Sequence, residues 1–265
     1  MFTVISSHRA QHQLDHQAAM IDGFKSIGID AVKSFSETHV KTKLVACWGW
    51  RVGKYLHNKG HDVLVMERGY IGDRFNFASL GWNGLNGRAI FPEHPDENSD
   101  RFNSMAEMKP WKDGGDYILI MGQVPKDQSL AGRDLLPWYS EMAKLASDHY
   151  KLPVKFRQHP DLAKRGLKQR PSDVLISDED YQTALDGAAL VITYNSNSAV
   201  DAVLNGVPAL SFDRGSMAWD VTGHDIGDLI KPIRERWAHN LSYNQWSLSE
   251  IRSGKPLIAL MDMIV

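Results

Sequence analysis

The feature that most constrains the fold of this chain is the alternation of short apolar segments with segments of helical spacing. Residues 2–6, 43–48 and 61–66 are apolar and strand-like, and helical spacing fills 13–26 and 51–58. Such an alternation is typical of a parallel sheet covered by helices. It restarts further along, with predicted strands at 116–121, 153–157, 189–193 and 208–212 and predicted helices at 135–149, 177–187 and 198–204. The sequence therefore predicts an α/β fold with two Rossmann-like domains.

Residues 92–116 separate the two alternating regions and are rich in Pro, Asp, Asn and Gly. A polar stretch without periodicity is typical of a connection between domains. We predict an N-terminal domain over 1–110, a second domain over 111–230, and a C-terminal helical segment over 231–265 that packs back on the first domain. Ligands of such folds bind at strand carboxyl ends, so we expect a cleft between the domains.

Charge and composition narrow the function classes. The formal net charge is −2, which gives no global sign of nucleic-acid or membrane binding. A single cysteine excludes a disulfide framework within the chain. No apolar run approaches the length of about 20 residues that a membrane span needs. We expect a soluble, cytoplasmic protein.

The segment VITYNSNSAVDAVLNGVPALSF, residues 191–212, is the strongest candidate for a ligand site. A predicted buried strand ends at Thr193, and the polar run Asn195, Ser196, Asn197 and Ser198 then leads into a helix. Small polar residues cap helices, and backbone N–H groups at a helix start bind anions. This pattern predicts a phosphate or diphosphate site, with an ordinary capped turn as the alternative.

Two further stretches follow predicted strands of the second domain. VKFRQHPD places Arg157 and His159 where a strand ends, and MGQVPKDQSLAG is a loop after the strand that ends at 121. A guanidinium and an imidazole at one strand end suit a phosphate or a carboxylate. The alternative is a surface histidine beside a local ion pair.

In the first domain, MERGYIGDR places Glu67, Arg68, Asp73 and Arg74 around two glycines after a predicted strand. We interpret it as a site loop, with a charge-rich structural turn as the alternative. The next stretch, FASLGWNGLNGRA at 77–89, resembles a shaped loop in which Trp82 stacks on a sugar or a base. Asn83 would donate hydrogen bonds there, and a glycine-rich turn with a packed tryptophan is the alternative.

Together these motifs resemble the capsular-polysaccharide Kdo transferase family, which belongs to the two-domain GT-B glycosyltransferases. The resemblance covers roughly residues 44–225. The WGWR and MERGYIGDR segments are similar to the family's N-terminal motifs, although Arg68 stands where the family has an acidic residue. In the second half the matching residues are Gly122, Gln123, Val124, Asp127, Ser129, Arg157, His159, Pro160, Asn195, Ser196, Asp201, Gly206 and Pro208.

This resemblance implies a metal-independent glycosyltransferase without a cofactor, whose donor is a UDP- or CMP-linked sugar. It implies that Asp73 or Glu67 acts as the base and that His159 stabilises the leaving phosphate. The residues expected to bind the acceptor are Arg68, Arg74, Trp82 and Asn83. The residues expected to bind the donor are Gln123, Lys126, Arg157, Asn195, Ser196, Asn197, Ser198 and Asp201.

Several alternatives stay open at this point. The acceptor is a glycan or glycolipid, or a hydroxymethylated DNA base, since viral DNA glucosyltransferases share the two-domain architecture. A non-catalytic nucleotide-sugar binding module and a sugar-nucleotide epimerase are the other classes. The histidines His8, His12 and His16 recur every four residues, a spacing that can hold a metal. We expect an exposed polar helix face there and no metal site.

Overall fold

The computed structural model describes residues 1–7, 9–93, 99–172 and 174–264. The chain divides into two compact units: unit 1 contains Met1–Ala106 and His239–Val265, and unit 2 contains Glu107–Ala238. The sequence-based boundaries were 110 and 230, so residues 107–110 and 231–238 belong to unit 2. Of the predicted histidine series, His8 lies outside the described residues.

Unit 1 is built on a six-stranded sheet of order β11-β5-β4-β3-β1-β2. Strands β1 to β4 are parallel, and β5 and β11 are antiparallel additions at one edge. The strands are β1 (Phe2–Ile5), β2 (Ala31–Ser34), β3 (Leu44–Trp48), β4 (Asp62–Arg68), β5 (Phe77–Trp82) and β11 (Gln245–Ser247).

Both faces of this sheet are buried, which explains why its central strands are apolar without alternation. Phe2, Val4, Ala46, Leu64 and Met66 form the core with helices from both ends of unit 1. The residues between them in sequence, which point to the opposite face, form a second core. That core contains Ile5, Val45, Cys47, Leu56, Val63 and Val65.

The helices of unit 1 are α1 (Gln11–Ser26), α2 (Trp50–Asn58), α3 (Ser99–Asn103), α9 (Leu248–Arg252) and α10 (Lys255–Asp262). Helix α8 (Glu235–Ser242) crosses the boundary between the units. The C-terminal segment was predicted as helical only. It also contributes β11, which pairs with β5, and α9 packs against α1 through a glycine, Gly23, where a Cβ would lie 2.1 Å from the Ile251 carbonyl oxygen.

Two sequence-based assignments in unit 1 were wrong. Strand β4 continues through Glu67 and Arg68, which were placed in a loop. The stretch from Phe77 to Trp82 was interpreted as a glycine-rich loop and is strand β5, antiparallel to β4. The two strands form a hairpin whose loop is residues 69–76. The strand was not recognised because it contains Gly81, and glycine is uncommon in strands. A Cβ at Gly81 would lie 2.9 Å from a carbon of the Phe91 ring, so a larger residue does not fit there.

Unit 2 is built on a five-stranded parallel sheet of order β10-β9-β6-β7-β8. Its strands are β6 (Tyr117–Met121), β7 (Val154–Arg157), β8 (Leu175–Ile176), β9 (Ala188–Thr193) and β10 (Ala209–Ser211). Its helices are α4 (Leu136–Tyr150), α5 (Pro160–Lys164), α6 (Tyr181–Gly187) and α7 (Ser198–Leu204). Short 3-10 turns lie at Gln128–Leu130 and Trp219–Val221.

Strand β8 was not predicted, and α6 begins later than the helix predicted over 177–187. Asp180 caps α6 by accepting a hydrogen bond from Thr183 N at 3.0 Å, so the cap lies after both predicted caps, Ser177 and Asp178. The core of unit 2 packs α4 on the sheet through Tyr139, Met142 and Ala146. Within the described residues, no helix is both long enough and apolar enough to cross a membrane.

Candidate functional site

The strand order of unit 2 defines where a ligand binds. The chain runs from β6 to β7 and β8 on one side of β6, and then returns to place β9 and β10 on the other side. Where strand order reverses in a parallel sheet, the connections after the two adjacent strands diverge and leave a crevice at their carboxyl ends. In unit 2 that point lies between β6 and β9.

A pair of buried amides closes the carboxyl ends of these two strands. Gln123 follows β6, and Asn195 follows β9. Gln123 Nε2 donates to Asn195 Oδ1 at 2.8 Å, and Gln123 Oε1 accepts from Asn195 N at 3.1 Å. Tyr139 from α4 fixes the same turn, because its hydroxyl oxygen accepts a hydrogen bond from Gln123 N at 2.8 Å.

Asn195 extends this network further along the connection after β6 and to the connection after β10. Its Nδ2 donates to the Ser129 carbonyl oxygen at 2.9 Å and to Asp213 Oδ1 at 2.8 Å. Asp213 follows β10 and also accepts from Gly215 N at 2.9 Å. Asp127 holds the first of these connections, since its Oδ1 accepts from Ser129 N and Ser129 Oγ. Three connections at the carboxyl edge, those after β6, β9 and β10, are thus joined through one asparagine, which favours a rigid site.

His159 follows β7 at the same edge and caps α5. Its Nδ1 accepts a hydrogen bond from Asp161 N at 3.2 Å. A ring nitrogen that accepts from an N–H carries no proton, so the proton of the neutral imidazole lies on Nε2. The His159 ring is half-buried.

The predicted anion-binding turn keeps its polar residues half-buried. Ser196 Oγ accepts from Ser198 N at 3.2 Å and donates to Ser198 Oγ at 3.1 Å, and Asn197 lies between them. Lys126 is exposed in the loop after β6 and adopts a left-handed backbone with φ of 65°. These residues lie on the connections that follow β9 and β6, the two strands beside the reversal.

Arg157 and Asp201 are half-buried and make contacts within unit 2. The Arg157 guanidinium donates to the Glu179 carbonyl oxygen and lies 5.8 Å from the Tyr181 ring centre. Asp201 Oδ2 accepts from the Tyr181 hydroxyl at 2.7 Å. Arg157 therefore links β7 to the start of α6, and Asp201 links α7 to α6, and we leave both out of the proposed donor site.

An aromatic stack after β10 adds to this edge. The rings of Trp219 and His224 lie 3.5 Å apart with an angle of 6° between their planes, and the Arg214 guanidinium lies 5.5 Å from the Trp219 ring centre. The residue types are the only sign of this stack in the sequence. Its geometry was not predictable, because it joins Trp219 in a 3-10 turn to His224 after that turn.

Unit 1 has its own reversal of strand order, between β1 and β3. The chain runs from β1 to β2 on one side and to β3 and β4 on the other. Helix α1 begins next to this point. Gln17 of α1 is buried and donates through Nε2 to the carbonyl oxygens of Val4 at 2.7 Å and Ser34 at 2.8 Å. This amide fixes α1 against the carboxyl ends of β1 and β2.

Four side chains meet at this edge on the α1 face of the sheet. Trp48 ends β3, and Arg68 ends β4 with its guanidinium 5.4 Å from the Trp48 ring centre. The His12 and His16 rings approach Trp48 edge-on, at 4.9 and 4.7 Å between ring centres. Within the described ranges, no group of three or more His, Cys, Asp or Glu side chains is placed to hold a metal ion.

The pKa values of both histidines are lowered by their surroundings. His16 is buried, and its Nδ1–H donates to the His12 carbonyl oxygen at 2.6 Å. Burial lowers the pKa of His16, and the Arg68 charge lowers it further. For the half-buried His12, burial and then the Arg68 charge lower the pKa, against a smaller opposing effect of Asp15. Sequence analysis treated both residues as an exposed helix face, because their contact with Trp48 and Arg68 depends on sheet topology.

Glu67 and Arg68 are neighbours on one strand and therefore point to opposite faces. Glu67 Oε1 accepts from Arg68 N at 3.0 Å, and its charge helps raise the pKa of Cys47 on the α2 face. Arg68 reaches Phe75 in the hairpin loop, with 4.7 Å between guanidinium and ring centre, and donates to the Phe75 carbonyl oxygen at 3.4 Å. Across the described part of the chain, Arg68 forms no ion pair.

Asp73 and Arg74 shape the hairpin loop. Asp73 is exposed, and its two carboxylate oxygens accept from Phe75 N at 3.1 Å and Asn76 Nδ2 at 2.8 Å. Arg74 Nε donates to the Gly69 carbonyl oxygen at 2.8 Å. These bonds form an Asx-type turn, which was the structural alternative for this stretch.

Trp82 and Asn83 lie away from this edge, so their predicted role in acceptor binding is corrected. Trp82 is 4% exposed, and its indole N–H donates to the Leu260 carbonyl oxygen at 3.1 Å. Asn83 bonds to Val63 through its backbone N–H and Oδ1. Val63 is near the amino end of β4, whereas Arg68 ends the same strand at the carboxyl edge.

Comparison with known proteins adds a fold likeness. No protein-family model matches this chain, and no curated protein matches it. Among solved structures, the chain is similar to Thermosulfurimonas dismutans KpsC, beta Kdo 2,7 transferase. The TM-score is 0.57 at 16% sequence identity, over 100% of this chain and 99% of that chain.

A second similar structure is Thermosulfurimonas dismutans KpsC, beta Kdo 2,4 transferase. Its TM-score is 0.61 at 11% identity, over 92% of each chain. Identities this low establish fold and no more. The predicted fold class, α/β with two Rossmann-like units, and the predicted likeness to Kdo transferases in fold are both confirmed.

Proposed function

We propose that this chain is a glycosyltransferase that moves a sugar from a nucleotide-linked donor to a hydroxyl group. The observation that carries the proposal is the Gln123–Asn195 network at the carboxyl edge of unit 2, with His159 on the same edge. Ligands of parallel α/β sheets bind at such a reversal of strand order. The likeness in fold to two Kdo transferases supports the same class of reaction.

The donor's phosphate would be bound by hydrogen-bond donors and a cation. Their interaction with the phosphate becomes stronger as negative charge develops on the leaving oxygen. His159 offers Nε2–H, and the turn Ser196–Ser198 offers hydroxyls and backbone N–H groups. Gln123 and Asn195 hold this turn in place, and Lys126 adds a cation. As the glycosyl bond breaks, charge accumulates on the phosphate oxygen, so fixed donors there accelerate the reaction as well as binding the donor.

The acceptor belongs, in this proposal, to unit 1. The carboxyl edge of the first sheet carries Glu67, Arg68 and the loop with Asp73 and Arg74. A glycan or glycolipid hydroxyl is the acceptor class that we favour. A hydroxymethylated DNA base is the second candidate, and the net charge of −2 gives it no electrostatic support.

The experiment that tests the donor site is a thermal-shift panel with UDP, CMP, GDP, ADP and dTDP and their sugars. A nucleotide at about 100 times its Kd adds roughly 2.7 kcal/mol to the free energy of unfolding. We expect one nucleotide to shift wild type and to shift His159→Ala much less. His149→Ala is the matched control, since His149 is exposed on α4 of the same unit. A panel without any shift would contradict a nucleotide site.

Turnover separates the remaining classes. The donor found in the panel is incubated with oligosaccharide acceptors and, separately, with DNA that contains hydroxymethylcytosine. Release of free nucleotide together with a glycosylated product supports transfer and identifies the acceptor class. Nucleotide binding without turnover for any acceptor would support a non-catalytic binding module, and isomerised donor without an acceptor would support an epimerase.

A further inference from the structure

His12 occupies a position in unit 1 that the donor chemistry does not explain. It lies in the first turn of α1, beside the reversal of strand order between β1 and β3. Its ring is half-buried against Trp48, and the Arg68 guanidinium lies 5.4 Å from the centre of the same Trp48 ring. In open α/β sheets, ligands bind at the carboxyl ends of the strands beside such a reversal.

We propose that His12 is a catalytic residue of the acceptor side, which takes the proton from the hydroxyl group that receives the sugar. This inference rests on the proposed glycosyltransferase function and names the base for it. In net terms, the acceptor O–H bond breaks and its proton passes to a ring nitrogen of His12. The acceptor oxygen bonds to the anomeric carbon, and the phosphate oxygen that leaves this carbon keeps the electron pair.

Burial and the neighbouring charges together lower the His12 pKa, which favours the unprotonated imidazole that a base requires. Arg68 from β4 lowers the pKa of His12 and Asp15 from α1 raises it, after the lowering effect of burial. His16 faces it on α1 and also has a lowered pKa, mainly through burial, while β3 contributes the uncharged Trp48. A base works best when its pKa is close to the working pH and it is unprotonated there.

Asp73 is the competing base, and its geometry suits a turn better. Both of its carboxylate oxygens accept hydrogen bonds from the loop that it closes. It is exposed, so water competes for its remaining lone pairs. His12 has no such commitment within α1, because the His12 atom that bonds His16 is the backbone oxygen.

The first test measures protonation and needs no substrate. Histidine ring resonances of the full chain are followed by NMR from pH 5 to 8, and the His12 signal is assigned by its loss in His12→Gln. We expect the His12 pKa to lie below the ordinary histidine value of 6.5. The resonance of His57, which is exposed on α2, serves as the control signal. Arg68→Gln should raise the His12 pKa, because it removes a charge that lowers it. A His12 that is protonated at pH 7 would overturn the proposal.

The second test measures transfer with the donor identified for unit 2. We expect His12→Gln to lower the transfer rate at least about a hundredfold with unchanged nucleotide binding, as loss of a general base does. His57→Gln is the matched control and should retain wild-type rates. Wild-type transfer should fall as pH drops through the His12 pKa, and Arg68→Gln should move that fall to higher pH.

The outcomes distinguish this inference from the function on which it rests. A wild-type chain without nucleotide binding or turnover would remove the glycosyltransferase proposal and, with it, the need for a base. Wild-type turnover that His12→Gln leaves intact would overturn the role of His12 alone. A loss in His12→Gln whose pH profile ignores Arg68→Gln would also overturn it, because His12 would then act structurally.

Discussion

The two units carry different chemistry at equivalent places in their sheets. At the reversal in unit 2, Gln123 and Asn195 are buried, neutral and bonded on all sides. At the reversal in unit 1, His12, Arg68 and Trp48 are half-buried, and burial, followed by the Arg68 charge, lowers the pKa of the histidine. Amide side chains do not titrate, so the network of unit 2 keeps the same hydrogen bonds at any ordinary pH. An imidazole titrates, so the charge at the edge of unit 1 changes with pH. Sheets of the same type can therefore hold a pH-independent hydrogen-bond network in one unit and a titratable side-chain cluster in the other.

Asn195→Asp should break this comparison most strongly, since it makes the neutral network of unit 2 ionisable. The new carboxylate would face Asp213 Oδ1, to which Asn195 Nδ2 now donates at 2.8 Å, and would leave the Ser129 carbonyl oxygen without its donor. We expect unit 2 to lose about 3 kcal/mol of stability at neutral pH. The carboxyl pKa is raised in the folded state, so the loss should shrink as pH falls and the group protonates.

Urea unfolding measures this effect, with Cys47 as a marker for unit 1. Cys47 is the sole cysteine, and burial first, then nearby Glu37 and Glu67, raise the pKa of its thiol to about 12. The thiol should therefore react only when unit 1 opens. A circular-dichroism transition that precedes Cys47 labelling reports unit 2. Gln128→Glu adds a charge at an exposed position of the adjoining loop and is the control. Equal stability of Asn195→Asp and wild type would contradict the network's role.

Acid should destabilise unit 1 selectively, through His16. Its folded-state pKa is lowered from 6.5, mainly by burial. Below pH 6.5, His16 therefore binds a proton in the unfolded chain but not in the folded chain. The free energy of unfolding falls as pH drops toward the folded-state pKa. We expect a loss of about 1 kcal/mol between pH 7.5 and 5.5. Cys47 labelling in urea at the two pH values measures it.

His16→Gln is the variant for this prediction. It removes the titrating ring, so the difference in stability between the two pH values should shrink even if the variant is less stable at both. His57→Gln, which changes an exposed histidine of the same unit, should keep the wild-type pH dependence. A pH dependence that survives in His16→Gln would assign the acid sensitivity to another group.

The fold class was predictable because its causes are local. Segments such as Leu44–Trp48 and Ala188–Thr193 are apolar throughout, since both faces of their sheets are covered. The helix Ser198–Leu204 was predicted with its observed bounds from its polar start and from Gly206. The hairpin β4–β5 was missed because charged residues and glycines look like a loop when antiparallel partners are unknown. Strand β11 was missed for the same reason, since its partner β5 is distant in sequence.

The candidate site was predictable only where it follows one strand. Gln123, His159 and Asn195 each stand directly after a parallel strand, so the sequence places them at one edge. His12 was assigned to an exposed face because its neighbours come from β3 and β4, and one sequence does not report strand order. Trp82 was placed at the wrong edge, since the antiparallel direction of β5 reverses which of its ends is near the site.

Asp73→Ala should have the smallest effect and sharpens the description of unit 1. The change removes the acceptors of Phe75 N and Asn76 Nδ2 in an exposed turn. Such a loss costs roughly 0.5 kcal/mol, because water replaces both partners. Asn76→Ala removes one of the same bonds and is the matched control. With His12 as base, both variants should transfer sugar within a fewfold of wild type. A hundredfold loss of transfer confined to Asp73→Ala would identify the exposed Asp73 carboxylate as the base. The base of unit 1 would then lie in the hairpin loop and not in the His12–Trp48–Arg68 cluster.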